Sequence, residues 1–260
     1  MLHGEHIDVK VTIITVVYNA VDKIEPTLLS VLAQTYANIE YIVIDGGSTD
    51  GTLDIINRYR DRVSKLVSEK DEGIYDALNK GIRLATGEWI GIMNAGDKFA
   101  SNDVLHRIFA EDNANFSEDV IYGDAIAVDG KSVTCHCAPE SVDSLTKGPV
   151  YRHGASFVRR SVHNRYLFDL TKKPLLGFAL DYEQICRMYK GGCKFKKVSI
   201  PVVRYELRGV STISPFNITY YNYLITHEMK CGIFLKFWLV WLTLWRGLLI
   251  TGKRFHAKIA

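Results

Sequence analysis

The residues best suited to chemistry sit where short apolar runs end. Tyr41-Ile-Val-Ile-Asp45 is a β-branched run that stops at an acid, and Gly46-Gly47-Ser48-Thr49-Asp50-Gly51-Thr52 follows as a glycine- and hydroxyl-rich turn. An acid at such a tip can hydrogen-bond a ribose or a base, and paired glycines let the backbone approach a ligand closely. Asp50 can cap the helix that follows, because a side-chain oxygen there satisfies an orphan amide. Two more tips have the same character: Tyr18-Asn19, and Asn94-Ala95-Gly96-Asp97. Asn and Asp at strand ends can be mere turn formers. Three such tips, together with the charged helix start Glu69-Lys70-Asp71-Glu72, argue instead for a binding site.

The elements that must position these tips follow from periodicity. Val11-Thr-Ile-Ile-Thr-Val-Val17 is a continuous apolar run, as expected of a strand buried on both faces of a parallel sheet. Helices are predicted over about 22–33 and 51–60, and strands over 39–44, 65–68 and 89–93. Ile74, Ala77, Leu78, Gly81, Ile82 and Ala85 form a helical stripe, with Asp76, Asn79, Lys80 and Arg83 off it. Strand–helix units thus alternate from residue 11 to 97, which predicts a doubly wound sheet with its polar tips on one edge. Beyond it the pattern predicts a helix near 103–109 and a strand at 120–122. A hairpin is expected around Asp129-Gly130, then a polar helix over 181–189 and a strand over 198–205.

Composition is that of an ordinary globular chain: 260 residues, 47% hydrophobic, 23% charged. The formal net charge of +3 is too small to imply a nucleic-acid partner. It is also unevenly placed, since Lys230, Lys236, Arg246, Lys253, Arg254 and Lys258 follow Glu228 with no further acid. Five cysteines, an odd number, and a polar, acid-containing start that does not read as a signal peptide point to a reducing, cytoplasmic setting. Cys135-His136-Cys137 lacks zinc-knuckle spacing and has no second cysteine pair, so no metal is expected from it. The tail is rich in Phe, Trp and Leu, but only nine uncharged residues separate Lys236 from Arg246, too few to span a bilayer. With Lys236, Thr243, Arg246 and Lys253 on one stripe, it reads as an amphipathic helix lying in a membrane interface.

Taken together, Thr15-Val-Val-Tyr18-Asn19, Ile44-Asp45-Gly-Gly-Ser-Thr-Asp50-Gly51-Thr52, the run from Glu69 to Gly81, Ala85-Thr-Gly87-Glu-Trp and Asn94-Ala-Gly-Asp97 resemble the family 2 glycosyltransferases. More narrowly, they resemble the bacterial branch that builds O-antigen, colanic-acid or capsule repeats. The match is dense over residues 9–100 and thinner to about 215. The resemblance implies a GT-A fold, an α/β nucleotide-sugar-binding half (about 9–125) joined to an acceptor half (about 126–215), with residues 216–260 as the tail. It implies an inverting, metal-dependent transfer from a nucleotide sugar, uridine-linked by family habit, to a lipid-linked saccharide at the cytoplasmic face of the inner membrane. By similarity Thr15, Tyr18, Asp45 and Asp71 contact the nucleoside, with Lys70 and Asn79 as further candidates. Asp97 matches the metal-holding acid for Mn²⁺ or Mg²⁺. Asn94 stands where the family usually has another acid, and an amide is a weaker ligand for a hard cation. The acceptor base is expected at Asp181, with Asp169 and Glu183 as alternatives. His153 and Arg208-Gly-Val-Ser211 are expected on the acceptor side or at the diphosphate. The competing readings are a silent nucleotide-sugar-binding subunit, motivated by Asn94, and a nucleotidylyltransferase, which would want a basic glycine-rich loop after the first strand. A dehydrogenase fingerprint is absent.

Overall fold

The computed structural model describes residues 9–110 and 116–207, together with Ile225, Phe237, Trp241 and Trp245. The expected tail helix and Arg208-Gly-Val-Ser211 therefore lie outside the described residues, except for those four positions.

The first half is the alternation expected. It runs β1 (Val11–Val17), α1 (Val21–Leu32), β2 (Ile39–Asp45), α2 (Thr52–Arg58), β3 (Lys65–Ser68), α3 (Ile74–Leu84) and β4 (Trp89–Ile92). All pairings among these strands are parallel, in the order β3-β2-β1-β4. Every residue of β1 is buried, and strand alternation sends its side chains into two cores. Ile14 and Val16 pack with α3, whereas Val11, Ile13 and Val17 pack with residues of α1 and α2. On α3 the inward position at the first turn is taken by Tyr75, and Ile74 is exposed. Gly81 lets α3 lie close on the sheet, since a Cβ there would stand 2.6 Å from Ile14 Cγ2.

The second half changes direction. It runs β5 (Lys98–Phe99), α4 (Val104–Phe109), β6 (Val120–Asp129), β7 (Ser132–His136), β8 (Ser156–Arg159), α5 (Arg160–Arg165), α6 (Lys173–Leu176), α7 (Leu180–Lys190) and β9 (Phe195–Glu206). β8 joins β4 antiparallel and carries β6 antiparallel on its other side. β9 then pairs parallel with β6 and antiparallel with β5, giving one mixed nine-stranded sheet. The expected strand at 120–122 and the first arm of the expected hairpin are one strand, β6, so the boundary expected near residue 125 falls inside a continuous element. β5 and β8 were not expected from the sequence, and at two and four residues they are too short to carry a periodic signal.

Candidate active site

The three polar tips meet at the carboxyl edge of the parallel strands. The Gly46 amide donates to Val17 O at 2.9 Å and the Ala95 amide to Val16 O at 3.3 Å, so the tips of β2 and β4 flank that of β1. Asn19, at φ 44°, stitches the first two together. Its amide donates to Ser48 Oγ at 2.8 Å, and its side-chain oxygen accepts from the Thr49 amide at 2.9 Å. Asp50 serves two helices, accepting from the Thr52 amide of α2 and the Val21 amide of α1, each at 3.0 Å.

The residues expected at the nucleoside divide by what their polar atoms are already doing. Tyr18 is 63% exposed. Asp71 sits against the glycine turn. A Cβ on Gly46 would stand 2.6 Å from Asp71 Oδ2 and 3.3 Å from the Tyr18 ring, so Gly46 is what allows these two to converge. Lys70 is exposed beside them, and a Cβ on Gly47 would stand 3.4 Å from its amide. Asp45 is fully buried and organises the turn, accepting from the Ser48 amide, Ser48 Oγ and Ser68 Oγ. Thr15 is likewise buried, its hydroxyl 2.9 Å from that of Tyr41. Both ends of the Asn79 amide engage the Phe168 backbone at 2.9 Å, tying α3 to the loop before α6. Asp45, Thr15 and Asn79 thus have their polar atoms engaged by the scaffold, Tyr18 and Lys70 are exposed, and Asp71 accepts from the Gly73 amide at 2.7 Å with Oδ1 while its Oδ2 lies against the Gly46 turn.

The turn at 94–97 is held from below. Thr27 of α1 donates to Asp97 O at 2.8 Å and accepts from the Gly96 amide at 2.9 Å. Asp97 is largely buried, and that burial pushes its carboxyl above the usual range against the opposing pull of Arg152. Arg152 Nη2 lies 3.8 Å from Asp97 Oδ1, and its guanidinium stacks 3.5 Å over the Tyr205 ring. Asn94 Oδ1 and Arg152 Nε are buried with no hydrogen-bond partner. A hard cation is the chemistry this set fits: one carboxylate and one orphaned amide oxygen in a common turn, both oxygen donors.

Arg152 was not singled out in the sequence, because nothing in the irregular stretch before β8 marks one arginine among several. Its neighbours complete the site. Gly154 packs against the 94–97 turn, its Cβ position 3.7 Å from Asp97 Oδ2. Burial pushes the His153 imidazole below its usual value, against the pull of nearby Asp181. Asp181, at the first turn of α7, accepts from the Tyr182 amide at 2.7 Å with one oxygen, leaving the other for a ligand. The two alternatives are spoken for. Glu183 is buried between Lys172 (2.8 Å) and Arg187 (2.9 Å), and Asp169 closes a turn by accepting from the Thr171 amide at 3.1 Å.

Comparison with known proteins bears on the fold and the family. A relative from Mycobacterium bovis, described as a PGL/p-HBAD biosynthesis glycosyltransferase, is 38% identical over 100 residues, 37% of this chain and 39% of its own. An uncharacterized glycosyltransferase of Rickettsia prowazekii is 33% identical over 127 residues, 49% of this chain and 40% of its own. The chain thus spans about two fifths of the length of these relatives. Among solved structures, residues 1–349 of S. aureus TarS in complex with UDP align with a TM-score of 0.65 at 21% identity, over 86% of this chain and 66% of that one. The mannosyltransferase PcManGT from Pyrobaculum calidifontis, in complex with GDP-Man and Mn²⁺, aligns with a TM-score of 0.64 at 20% identity, over 86% and 65%. Both likenesses show the fold, which is the GT-A arrangement. The model of the family described as Glycosyl transferase family 2 matches residues 12–167, from the second residue of β1 to the loop beyond α5 and so through every strand tip of the cleft, and the chain belongs to that family.

Proposed function

We propose that this chain transfers a sugar from a nucleoside-diphosphate donor to a hydroxyl of a lipid-linked saccharide, with inversion at the anomeric carbon. The observation that carries the reading is the spacing of roles along one edge. Tyr18, Lys70 and Asp71 open toward the donor side, the 94–97 turn with Arg152 lies beside them, and Asp181 stands across His153.

Asp97 and Asn94 would hold a divalent cation, Mn²⁺ or Mg²⁺, which supplies Lewis-acid neutralisation of the diphosphate. Arg152, already within reach of Asp97, can turn its guanidinium to the same phosphates and stabilise the charge that grows on the leaving group. The free oxygen of Asp181 takes the proton of the acceptor hydroxyl. That oxygen then attacks from the face opposite the diphosphate, which inverts the centre in one displacement. Half-buried His153, whose imidazole is held below its usual value by desolvation, stands beside Asp181.

Contact with a membrane surface belongs to this proposal. Phe237, Trp241 and Trp245 recur every four residues and are 68%, 57% and 47% exposed, with the two indoles stacked 6.0 Å apart. An exposed aromatic edge beside a basic tail suits the headgroup layer of an anionic bilayer. No helix among the described residues is long and apolar enough to cross a membrane.

The test is release of nucleoside diphosphate from a panel of uridine and guanosine sugar nucleotides, with Mn²⁺ and a membrane lipid extract as acceptor. Acceptor-dependent turnover of one donor is expected. Donor binding without turnover for every donor, across extracts from several bacteria, would favour a silent binding subunit.

A further inference from the structure

Away from the cleft, the β6–β7 hairpin gathers three metal-ligating side chains that sequence spacing alone does not connect. Ala125 pairs with His136 and Ile126 with Cys135, so continuing the register sets Asp124 opposite Cys137. Residues two apart on a strand share a face, so Cys135 and Cys137 lie on one side and His136 on the other. The two sulfurs are 4.0 Å apart. With a carboxylate oxygen of Asp124, all three ligand atoms lie within 4.8 Å of one another.

The placement of Asp124 is specific. The β6–β9 register shifts on both sides of it, between Tyr122 and Asp124 and between Asp124 and Ala125. Such an irregularity re-aims a side chain. Asp124 is only 9% exposed, and its Oδ1 is fixed by the Ala138 amide at 2.9 Å, which leaves Oδ2 for a ligand. Both thiols are free and exposed. They border a groove of about 420 Å³ that runs past His136 and Tyr151 to Arg152 and Tyr205.

From this geometry we infer that Asp124, Cys135 and Cys137 form a binding site for a thiophilic divalent cation of the zinc class, open at its fourth position. Two thiolates at ~2.3 Å from a tetrahedral zinc ion are about 3.8 Å apart, close to the separation of the two sulfurs here. A direct disulfide fits less well, because strand residues two apart have Cα atoms ~6.7 Å apart, at the upper limit for such a bond. Each thiol releases its proton to water as it ligates. Two thiolates, one carboxylate and a divalent ion leave one negative charge at this exposed site, and the nearby Lys197 pairs with Glu140 at 2.8 Å. Sulfur ligands select zinc over the Mg²⁺ or Mn²⁺ that suit the oxygen donors of Asp97 and Asn94, so the two sites take different ions.

The experiment is a Co²⁺ titration of the full chain under reducing conditions, read by the thiolate-to-cobalt charge-transfer band, followed by displacement with Zn²⁺. One Co²⁺ per chain with that band, displaced by stoichiometric Zn²⁺ and not by excess Mg²⁺, is expected. The double variant Cys135→Ser/Cys137→Ser should lose the band. Asp124→Asn should weaken binding at least tenfold, and Cys193→Ser should leave it unchanged. Circular dichroism checks that each variant is folded. No thiolate band in the wild type, a band that survives the double variant, or an unchanged affinity in Asp124→Asn would each overturn the three-ligand site.

Discussion

Two buried acids of this chain are handled in opposite ways, and the difference separates scaffold from site. Glu40, at the start of β2, is enclosed by Thr12 Oγ1 at 2.7 Å, the Thr86 amide at 2.7 Å and hydroxyl at 2.9 Å, and Lys65 Nζ at 3.0 Å. Burial works to raise it, but these hydrogen bonds outweigh burial and hold its carboxyl down at about 2. Because the folded value lies below the unfolded one, Glu40 contributes stability above the unfolded value of 4.5, and that stability is lost as pH falls toward about 2. Urea midpoints should therefore drop across this window in the wild type and less steeply in Glu40→Gln, which should also cost on the order of 3 kcal/mol at neutral pH. Asp97 lacks such a set of donors and is left raised, with Arg152 as its counter-charge. Gly46 is the other residue where sequence and site meet. With Asp71 Oδ2 where a Cβ would go, Gly46→Ala should displace that carboxylate and raise the donor KM about tenfold with little change in melting temperature. Asp45 and Asp97 stand out in the sequence at strand tips, whereas Asp71, Asp181 and the metal role of Asp97 were named through the family resemblance. That Asp45 is spent on its own turn, and that Arg152 joins Asp97, could not be read there, since both depend on hydrogen bonds and packing between distant segments.

At the scale of elements, α3 is the joint between the two halves of the sheet's upper edge. Its Gly81 lies on Ile14, and its Asn79 is bonded twice to Phe168. Gly81→Ala should cost about 1–3 kcal/mol by overpacking. Asn79→Ala leaves the Phe168 amide and carbonyl without these partners and should cost about 2 kcal/mol. Both are read by chemical denaturation, and a shift in donor affinity at unchanged stability in Asn79→Ala would instead mean that this residue meets the nucleotide. The expected helices and strands of residues 11–109 agree with the observed ones within a few residues, because each carries a strong apolar period. The period does not fix partners. Nothing in Ser156–Arg159 says that this strand enters beside β4 and reverses the sheet, and nothing at Val120–Asp129 distinguishes one long strand from two short ones.

On the scale of the molecule, a single mixed sheet carries the polar tips on β1, β2 and β4 and the groove toward Tyr205 along β6, β7 and β9. The parallel half was legible because alternating strand–helix units and polar tips point to it together, whereas the GT-A arrangement of the whole was implied only by the family resemblance. The fate of the tail was not legible, because an amphipathic aromatic helix reads alike whether it covers a protein or a bilayer. Ile225 is buried in the core, whereas Phe237, Trp241 and Trp245 are exposed. Replacing those three aromatics by Ala should reduce co-flotation with anionic vesicles at least tenfold and leave the melting temperature unchanged. Equal flotation of variant and wild type would contradict membrane contact through this edge.

The division of labour between Asp97 and Asp181 is the centre of the account, and it is tested most directly by measuring donor affinity and turnover side by side in Asp97→Ala and Asp181→Asn. Asparagine keeps the acceptor oxygen that meets the Tyr182 amide, so the second variant preserves the start of α7. Asp97→Ala is expected to lose both cation-dependent donor binding and turnover. Asp181→Asn should bind the donor as the wild type does and turn over at least a hundredfold more slowly, the scale of a lost general base. Turnover that survives in Asp181→Asn, or donor binding in Asp97→Ala that still responds to Mn²⁺ as the wild type does, would contradict the assignment.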